Sequence, residues 1–529
     1  MQRETILFER SRLIGEITST KEWDVVVVGG GASGLGVALD GISRGLKVLL
    51  LEKVDFAKGT SSKSTKLVHG GVRYLAQGNI DLVKEALRER GLLLRNAPHL
   101  VKNQTFVVPS YNWIDQPFYG IGLKIYDWLS GKLSLGSSVL VSKSEVLERI
   151  PMIQSNGLKG GVLYQDGQFD DARLAVNLAQ TCIEQGGTVL NHFNVVDLKK
   201  GSNGKIDTVI TEDAETGKRY EIKTKSVVNA TGVFVNDIIQ MSEKSAEPLV
   251  RPSQGAHIVL DKSFLNSNDA IMIPKTSDGR VLFAIPWHNR VIVGTTDIPV
   301  TNETLDPIPL EEEIEFILKT AAQYLTKAPT RKDVLATFAG LRPLAASKGA
   351  DGAKTKEISR SHKVLVESGD LVTITGGKWT TYRQMGQDTI DKVIDIKKIK
   401  CNPSSTSEMK IHGAKEAVAE QWNDHLYIYG TDREIIESLI VDQPRLGDKL
   451  TQNAEFTRAE VVVAIRLEMA RTIEDVLARR VRLLFLDAQE AINVAPEVAK
   501  IMQAELSWTD EKLAYELQEF NRIAKTYLL

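Results

Sequence analysis

A parallel α/β domain, joined to a β-sheet domain and closed by an all-helical C-terminal domain, is the fold predicted for this 529-residue chain. Three observations predict it. Two continuous apolar runs, "DVVVVG" and "KVLLLEK", flank a glycine turn and a helical segment near the N-terminus. Strand-like runs separated by "KGSNG" and "AETG" turns fill the middle, and beyond residue 400 the pattern becomes helical. The length exceeds what one core supports, so two or three domains are expected.

The bulk properties exclude several function classes. Apolar residues make up 42% and charged residues 25%, which is ordinary for a globular protein. A formal net charge of -2 gives no overall attraction to nucleic acid, and none is expected as a partner. Two cysteines, Cys182 and Cys401, supply neither a disulfide framework nor a cysteine-rich metal site, and suit a reducing compartment. The first residues have no long apolar core, so no secretory signal is read there. No apolar run is long enough to span a bilayer, so any membrane role is expected to be peripheral.

Residues 24 to 53 read as one βαβ unit: strand, glycine turn, helix, a break at Gly45, and a second strand ending in Glu52. Unbroken apolar runs suit strands covered on both faces. "DDARLAVNLAQTCIEQGG" reads as a helix with Leu174, Leu178 and Ile183 on one face. "TVLNHFNVVDL", "KIDTVITEDA" and "KRYEIKTKSVVNATG" read as strands. "KCNPSSTSEMK" is linker-like, and Thr472 and Thr509 are candidate N-caps in the helical part that follows. The basic stretch "ARRVRLL" suits a lipid surface or, preferred, a solvated charged face. Between residues 111 and 136 lie two tryptophans, three tyrosines, Lys124 and Lys132, a composition that suits either a packed cap or a lipid headgroup layer.

Gly29, Gly31 and Gly34 sit between the first strand and the helix, and Glu52 follows at the end of the second strand. In a Rossmann-like unit the first glycine permits the turn and the second lets backbone approach a pyrophosphate. The third lets helix and strand pack closely, and the acid accepts from ribose hydroxyls. The helix N-terminus faces the phosphates with free N–H groups. A dinucleotide is expected here. Two later glycine turns favour flavin over nicotinamide: "VVNATG", with Ala230, Thr231 and Gly232, and "VTITGGKWTTYR", with Gly376, Gly377 and Thr380. No histidine has metal-ligand spacing, and no metal is expected.

"GTSSKSTKLVHGGVRYL", "NATG", "VGTTD", "LRPL" and "GGKWTTYR" occur in the order found in the FAD-dependent glycerol-3-phosphate dehydrogenases. From about residue 21 to the C-terminus the chain resembles that family, in particular its aerobic bacterial members. The resemblance implies a flavin domain similar to that of D-amino-acid oxidase. It places FAD-binding parts at about 21–95, 165–250 and 335–400, substrate or cap parts at about 96–164 and 251–334, and a helical domain at 401–529. Residues 1–20 form an extension with no reading.

The resemblance further implies oxidation of sn-glycerol 3-phosphate to dihydroxyacetone phosphate, with hydride passing to the flavin N5 and electrons to a quinone. It also implies a cytoplasmic protein on the inner face of the cell membrane, and it admits a homodimer. Ser61, Ser62 and Thr65 would bond the pyrophosphate and ribityl chain, while Gly70 and Gly71 let backbone pass the flavin. His69 is a candidate proton acceptor and His257 a second. Arg73, Tyr74, Arg342, Arg360 and Lys378 would hold the substrate, Arg342 and Arg360 through bidentate phosphate bonds. Ser361 and His362 after Arg360 depart from the family pattern. Three alternatives stand beside this reading. An oxidase using oxygen is disfavoured by the lack of an extra low-complexity block in mid-chain. An RNA-modifying or non-catalytic flavoprotein is disfavoured by the charge balance. An amino-acid oxidase is disfavoured by the number of cations on the substrate motifs.

Overall fold

The computed structural model describes residues 6–71, 75, 78–113, 115–274, 276, 279–345, 361–415 and 424–529. The βαβ unit forms as expected. Val25–Val28 and Val48–Leu51 are parallel neighbours, with Val25 opposite Val48 and Val28 opposite Leu51. Every residue of both strands is buried, which explains their unbroken apolar sequence. The sheet has six strands in the order Lys363–Glu367, Leu371–Thr375, Val227–Asn229, Val25–Val28, Val48–Leu51, Thr188–Leu190. All neighbours are parallel except the antiparallel edge pair Lys363–Glu367 and Leu371–Thr375. Val28 lies opposite Asn229, so the first glycine turn and the "NATG" turn leave adjacent strands at the same end of the sheet.

A ten-stranded sheet forms the second layer. Its longest pairing joins Val250–Asp261 to Val334–Ala345 along almost their full length, with Ser253 opposite Arg342 and His257 opposite Phe338. Val334–Ala345, which opens the expected 335–400 part, thus pairs in this sheet. Leu67–Val68, inside the expected 21–95 part, also pairs here, with Gly160–Phe169. Both runs are apolar enough to join either sheet, and only the distant partner strand decides.

Beyond residue 424 helices dominate, among them Arg433–Asp442, Arg458–Arg466, Ala488–Leu506 and Asp510–Ala524. Thr509 accepts from the Lys512 amide, and the Thr472 hydroxyl from the Asp475 amide. This region shares cores with both sheets. Ile428, Tyr429 and Val462 join the core of the nucleotide sheet, while Ala464, Val476 and Phe485 pack with Val259, Trp287 and Phe338 of the large sheet.

The N-terminal extension has a structural place. Helix Arg10–Ser19 buries Leu13 and Ile17 and lies against the edge strand Thr188–Leu190. Arg10 donates to the Asn191 carbonyl (2.9 Å) and to Asp213 (3.2 Å), which fastens the helix to the sheet edge.

The "ARRVRLL" expectation is overturned. Arg479, Arg480 and Arg482 are 1%, 0% and 0% exposed. Arg479 and Arg480 share Asp55, and Arg479 also holds Glu474 (2.8 Å) and Asp475 (2.6 Å). Arg482 holds Asp171 at 2.8 Å. Buried guanidiniums need such partners because an unpaired buried charge is very costly. Asp55, His192 and Asp475 are spaced as three metal ligands could be. Guanidinium already neutralises both carboxylates, so a divalent cation would face two buried positive charges.

His412 joins the linker to both sides. Its Nδ1 meets Glu184 at 2.7 Å and its Nε2 meets Asp432 at 2.8 Å. Burial alone would lower its pKa, but these two carboxylates outweigh it and push the ring up to about 10. A raised histidine stabilises the fold fully below its unfolded value near 6.5, and the contribution fades as pH rises through about 10. His412→Gln is therefore expected to lower stability by about 1–3 kcal/mol at pH 6. The gap from the parent should close by pH 10, as read from denaturant midpoints across pH. A gap independent of pH would rule out a charged ring.

Candidate active site

One cavity of about 930 Å³ gathers the two glycine turns and the motifs of the large sheet. Gly29 adopts φ +109°, and a Cβ there would sit 2.7 Å from the Ala230 carbonyl oxygen. Gly34 does not line the cavity. A Cβ on it would lie 1.8 Å from the Gly29 carbonyl, so it serves helix-to-strand packing. The N-terminal end of helix Ala32–Ser43 faces the cavity, and the Ala32 amide donates to Ser61 Oγ at 2.9 Å.

Glu52 accepts from the amides of Gly30 (2.6 Å) and Val54 (2.9 Å), which fixes its carboxylate at the turn. Burial raises its pKa, partly offset by those two amides. Phe193 donates its amide to the Glu52 carbonyl, and with Asn194 and Val195 it adds a wall that the sequence reading did not include. These features fit a dinucleotide. The N-terminal end of a helix faces the position of a pyrophosphate, side chains are excluded where backbone must approach, and an acid stands at the second strand end.

Two loops that are distant in sequence close the cavity together. Gly376 and Gly377 have φ +74° and +77°, where other residues are strained. The Trp379 indole then donates to the Ser61 carbonyl at 2.8 Å, and the His69 amide donates to Thr380 Oγ1 at 3.2 Å. Ser61, Thr65, His69, Gly71, Ala230, Thr231, Gly232, Gly376, Gly377, Lys378 and Thr380 all line the cavity.

Ser62 and Gly70 do not, contrary to expectation. Ser62 is 1% exposed, and its carbonyl accepts from Lys66 and Arg482. Gly70 packs against helix Asp115–Ser130. Its amide donates to the Tyr126 hydroxyl at 2.7 Å, and a Cβ would lie 2.6 Å from that oxygen. Leu87 and Tyr126 leave no room for a side chain at 70. Arg73, Tyr74 and Arg360 lie outside the described residues.

The large sheet supplies the remaining groups. Arg342 fits over Gly255, where a Cβ would come within 2.3 Å of the guanidinium. Nη2 donates to Thr295 Oγ1 (3.1 Å) and the Thr296 carbonyl (2.9 Å), and Nη1 meets Asp297 at 3.3 Å. Gly294 likewise makes room for the His257 ring. His257 is 2% exposed, its Nε2 meets Thr65 Oγ1 at 3.0 Å, and its Nδ1 has no hydrogen-bond partner among the described residues. Burial first, then Lys66 and Arg342, hold its pKa well below the usual value, so the ring is neutral.

Arg280 and Lys63 also line the cavity and were not singled out in sequence. Burial pushes Lys63 down to about 8. Its position inside "TSSKST" was the one available signal. Phe106, Tyr164, Met272 and Phe283 give the cavity an apolar wall.

A parallel sheet with a glycine turn at its strand ends, opening into a cavity shared with a second sheet, defines a flavin-type oxidoreductase. The FAD dependent oxidoreductase family description matches residues 24–383, and the C-terminal domain of alpha-glycerophosphate oxidase matches residues 370–513. The mitochondrial glycerol-3-phosphate dehydrogenase of Mus musculus is 39% identical, over 96% of this chain and 74% of its own length. That of Schizosaccharomyces pombe is 38% identical, over 97% and 89%. A solved glycerol-3-phosphate dehydrogenase from Bacillus halodurans, complexed with FAD, superposes with a TM-score of 0.79 at 26% identity, covering 98% of both chains. The chain belongs to the FAD-dependent glycerol-3-phosphate dehydrogenase family.

Proposed function

We propose that the chain oxidises the C2 hydroxyl of sn-glycerol 3-phosphate to dihydroxyacetone phosphate and passes the electrons to a quinone. The observation that carries this reading is the convergence of Arg342, His257 and Lys378 on the cavity that holds the dinucleotide turn. FAD, when bound, supplies a two-electron acceptor that the side chains lack. Gly29, Gly31, the Ala32 amide, Ser61 and Glu52 would hold it.

The other steps belong to the side chains. Arg342 is braced by Asp297, Thr295 and Thr296, so its positive charge is fixed at the cavity before a phosphate arrives. Lys378 adds a point charge. His257 enters neutral and takes the hydroxyl proton. The apolar wall keeps water from the reacting carbon. Anaerobic glycerol 3-phosphate should bleach the flavin absorbance of the purified protein. In air without quinone, little peroxide should form. Peroxide equal to the substrate oxidised would establish an oxidase.

The surface supports a membrane-bound acceptor. On helix Asp115–Ser130, Phe118, Ile121, Ile125 and Trp128 are 68%, 64%, 45% and 78% exposed and recur at helical spacing along one face, beside exposed Lys124. Phe118, Ile121 and Ile125 also line the cavity, so its mouth opens on this face. None of the described helices is long and apolar enough to cross a bilayer. An apolar stripe with a basic neighbour suits the headgroup boundary. Replacing Trp128, which does not line the cavity, by Asp should reduce co-sedimentation with phospholipid vesicles about tenfold. Turnover with a water-soluble dye should remain. Unchanged sedimentation would remove this face from the membrane.

A further inference from the structure

Lys66 is fully buried directly behind the substrate groups, and the reaction as described does not use it. Its ammonium donates to the Ser62 carbonyl (2.6 Å) and Asp171 (2.7 Å). Three rings surround it, with centroids at 5.4 Å for Trp287, 5.1 Å for Phe338 and 5.2 Å for Phe485. Cations in such boxes are held by the negative faces of the rings. Phe338 stacks on the His257 ring at 4.7 Å with planes 13° apart, and Phe485 packs on Phe338 at 5.0 Å. Thr65, the residue before Lys66, bonds the same histidine.

We propose that Lys66 is a positioning residue for His257: its boxed ammonium holds the ring stack in place and keeps a second positive charge off the imidazole. Charged groups on both sides are accounted for. Lys66 and Arg342 face His257, while Asp171 and Arg482, with Asp170 farther off, face Lys66. Burial lowers the Lys66 pKa to about 8, so it is charged throughout the range in which a histidine titrates. The C-terminal region takes part through Arg482 and Phe485, which complete the box. The proposal rests on His257 as the proton acceptor.

The test uses the full-length, FAD-loaded protein. Stopped-flow bleaching by glycerol 3-phosphate is followed from pH 4.5 to 7.5, together with the affinity for dihydroxyacetone phosphate read from the flavin band shift. Lys66→Gln, which still donates but carries no charge, should move the acid limb of both profiles up by about one pH unit. Lys66→Met should do the same, and Lys66→Arg should keep the limb near that of the parent. Neutral variants with the parental limb would overturn the proposal. So would neutral variants that never load flavin beside a normal Lys66→Arg, since Lys66 would then serve folding alone. A His257→Asn protein with parental rate and profile would instead remove the acceptor reading beneath it.

Discussion

Arg342→Ala is expected to raise the KM for glycerol 3-phosphate about tenfold or more, because a fixed positive charge beside the phosphate is lost. FAD should stay bound, since Arg342 extends from the large sheet over Gly255 and touches none of the glycine turns. Asp297 would then face the cavity without its guanidinium and repel the incoming dianion. Arg342→Lys should recover only part of the loss, because a point charge cannot reproduce the fork. Steady-state kinetics beside a flavin absorbance spectrum make the check. Parental kinetics in the alanine variant would take Arg342 out of the substrate site.

Asp55→Asn is expected to cost about 3–5 kcal/mol of stability. Its carboxylate lies between Arg479 and Arg480 and also accepts from Asn191 at 2.9 Å. An amide cannot neutralise two buried guanidiniums. Asp55 follows Glu52 by three residues, so the loop that carries Ala57, Gly59 and Ser61 should loosen with it and flavin affinity should fall. Guanidinium unfolding and flavin retention after gel filtration would show both effects. A midpoint within about 0.5 kcal/mol of the parent would mean that the pair is compensated elsewhere.

What was legible in sequence is what local geometry dictates. The glycine turn, the two all-apolar strands and Glu52 lie within 30 residues, and the packing of Gly34 on Gly29 and the bond from Gly30 to Glu52 are made inside that span. The "NATG" and "GGKW" turns carry positive-φ glycines that mark them without reference to any partner. The cluster at Arg479–Arg482 was not legible, because Asp55 and Asp171 lie 425 and 311 positions from Arg480 and Arg482, and local pairs such as Arg479 with Glu474 and Asp475 look the same on a solvated face. The sheet membership of Val334–Ala345 was hidden for a related reason. Its pairing partner, Val250–Asp261, is chosen across the fold, and nothing within the strand announces it. At Gly70 the neighbours that exclude a side chain, Leu87 and Tyr126, come from helices elsewhere in the chain and could not be read from the motif.

The ion cluster also has a consequence in time. A ribosome delivers Asp55 roughly 20–85 s before Arg480 emerges, at about 5–20 residues per second. Until then the nascent dinucleotide module carries acids that cannot be sealed inside without their counter-ions, so it cannot mature in the order it is made. Synthesis and assembly are uncoupled by charge. A fragment stopped short of residue 470 should therefore cling to chaperones or precipitate, even though every glycine turn it needs has already been made.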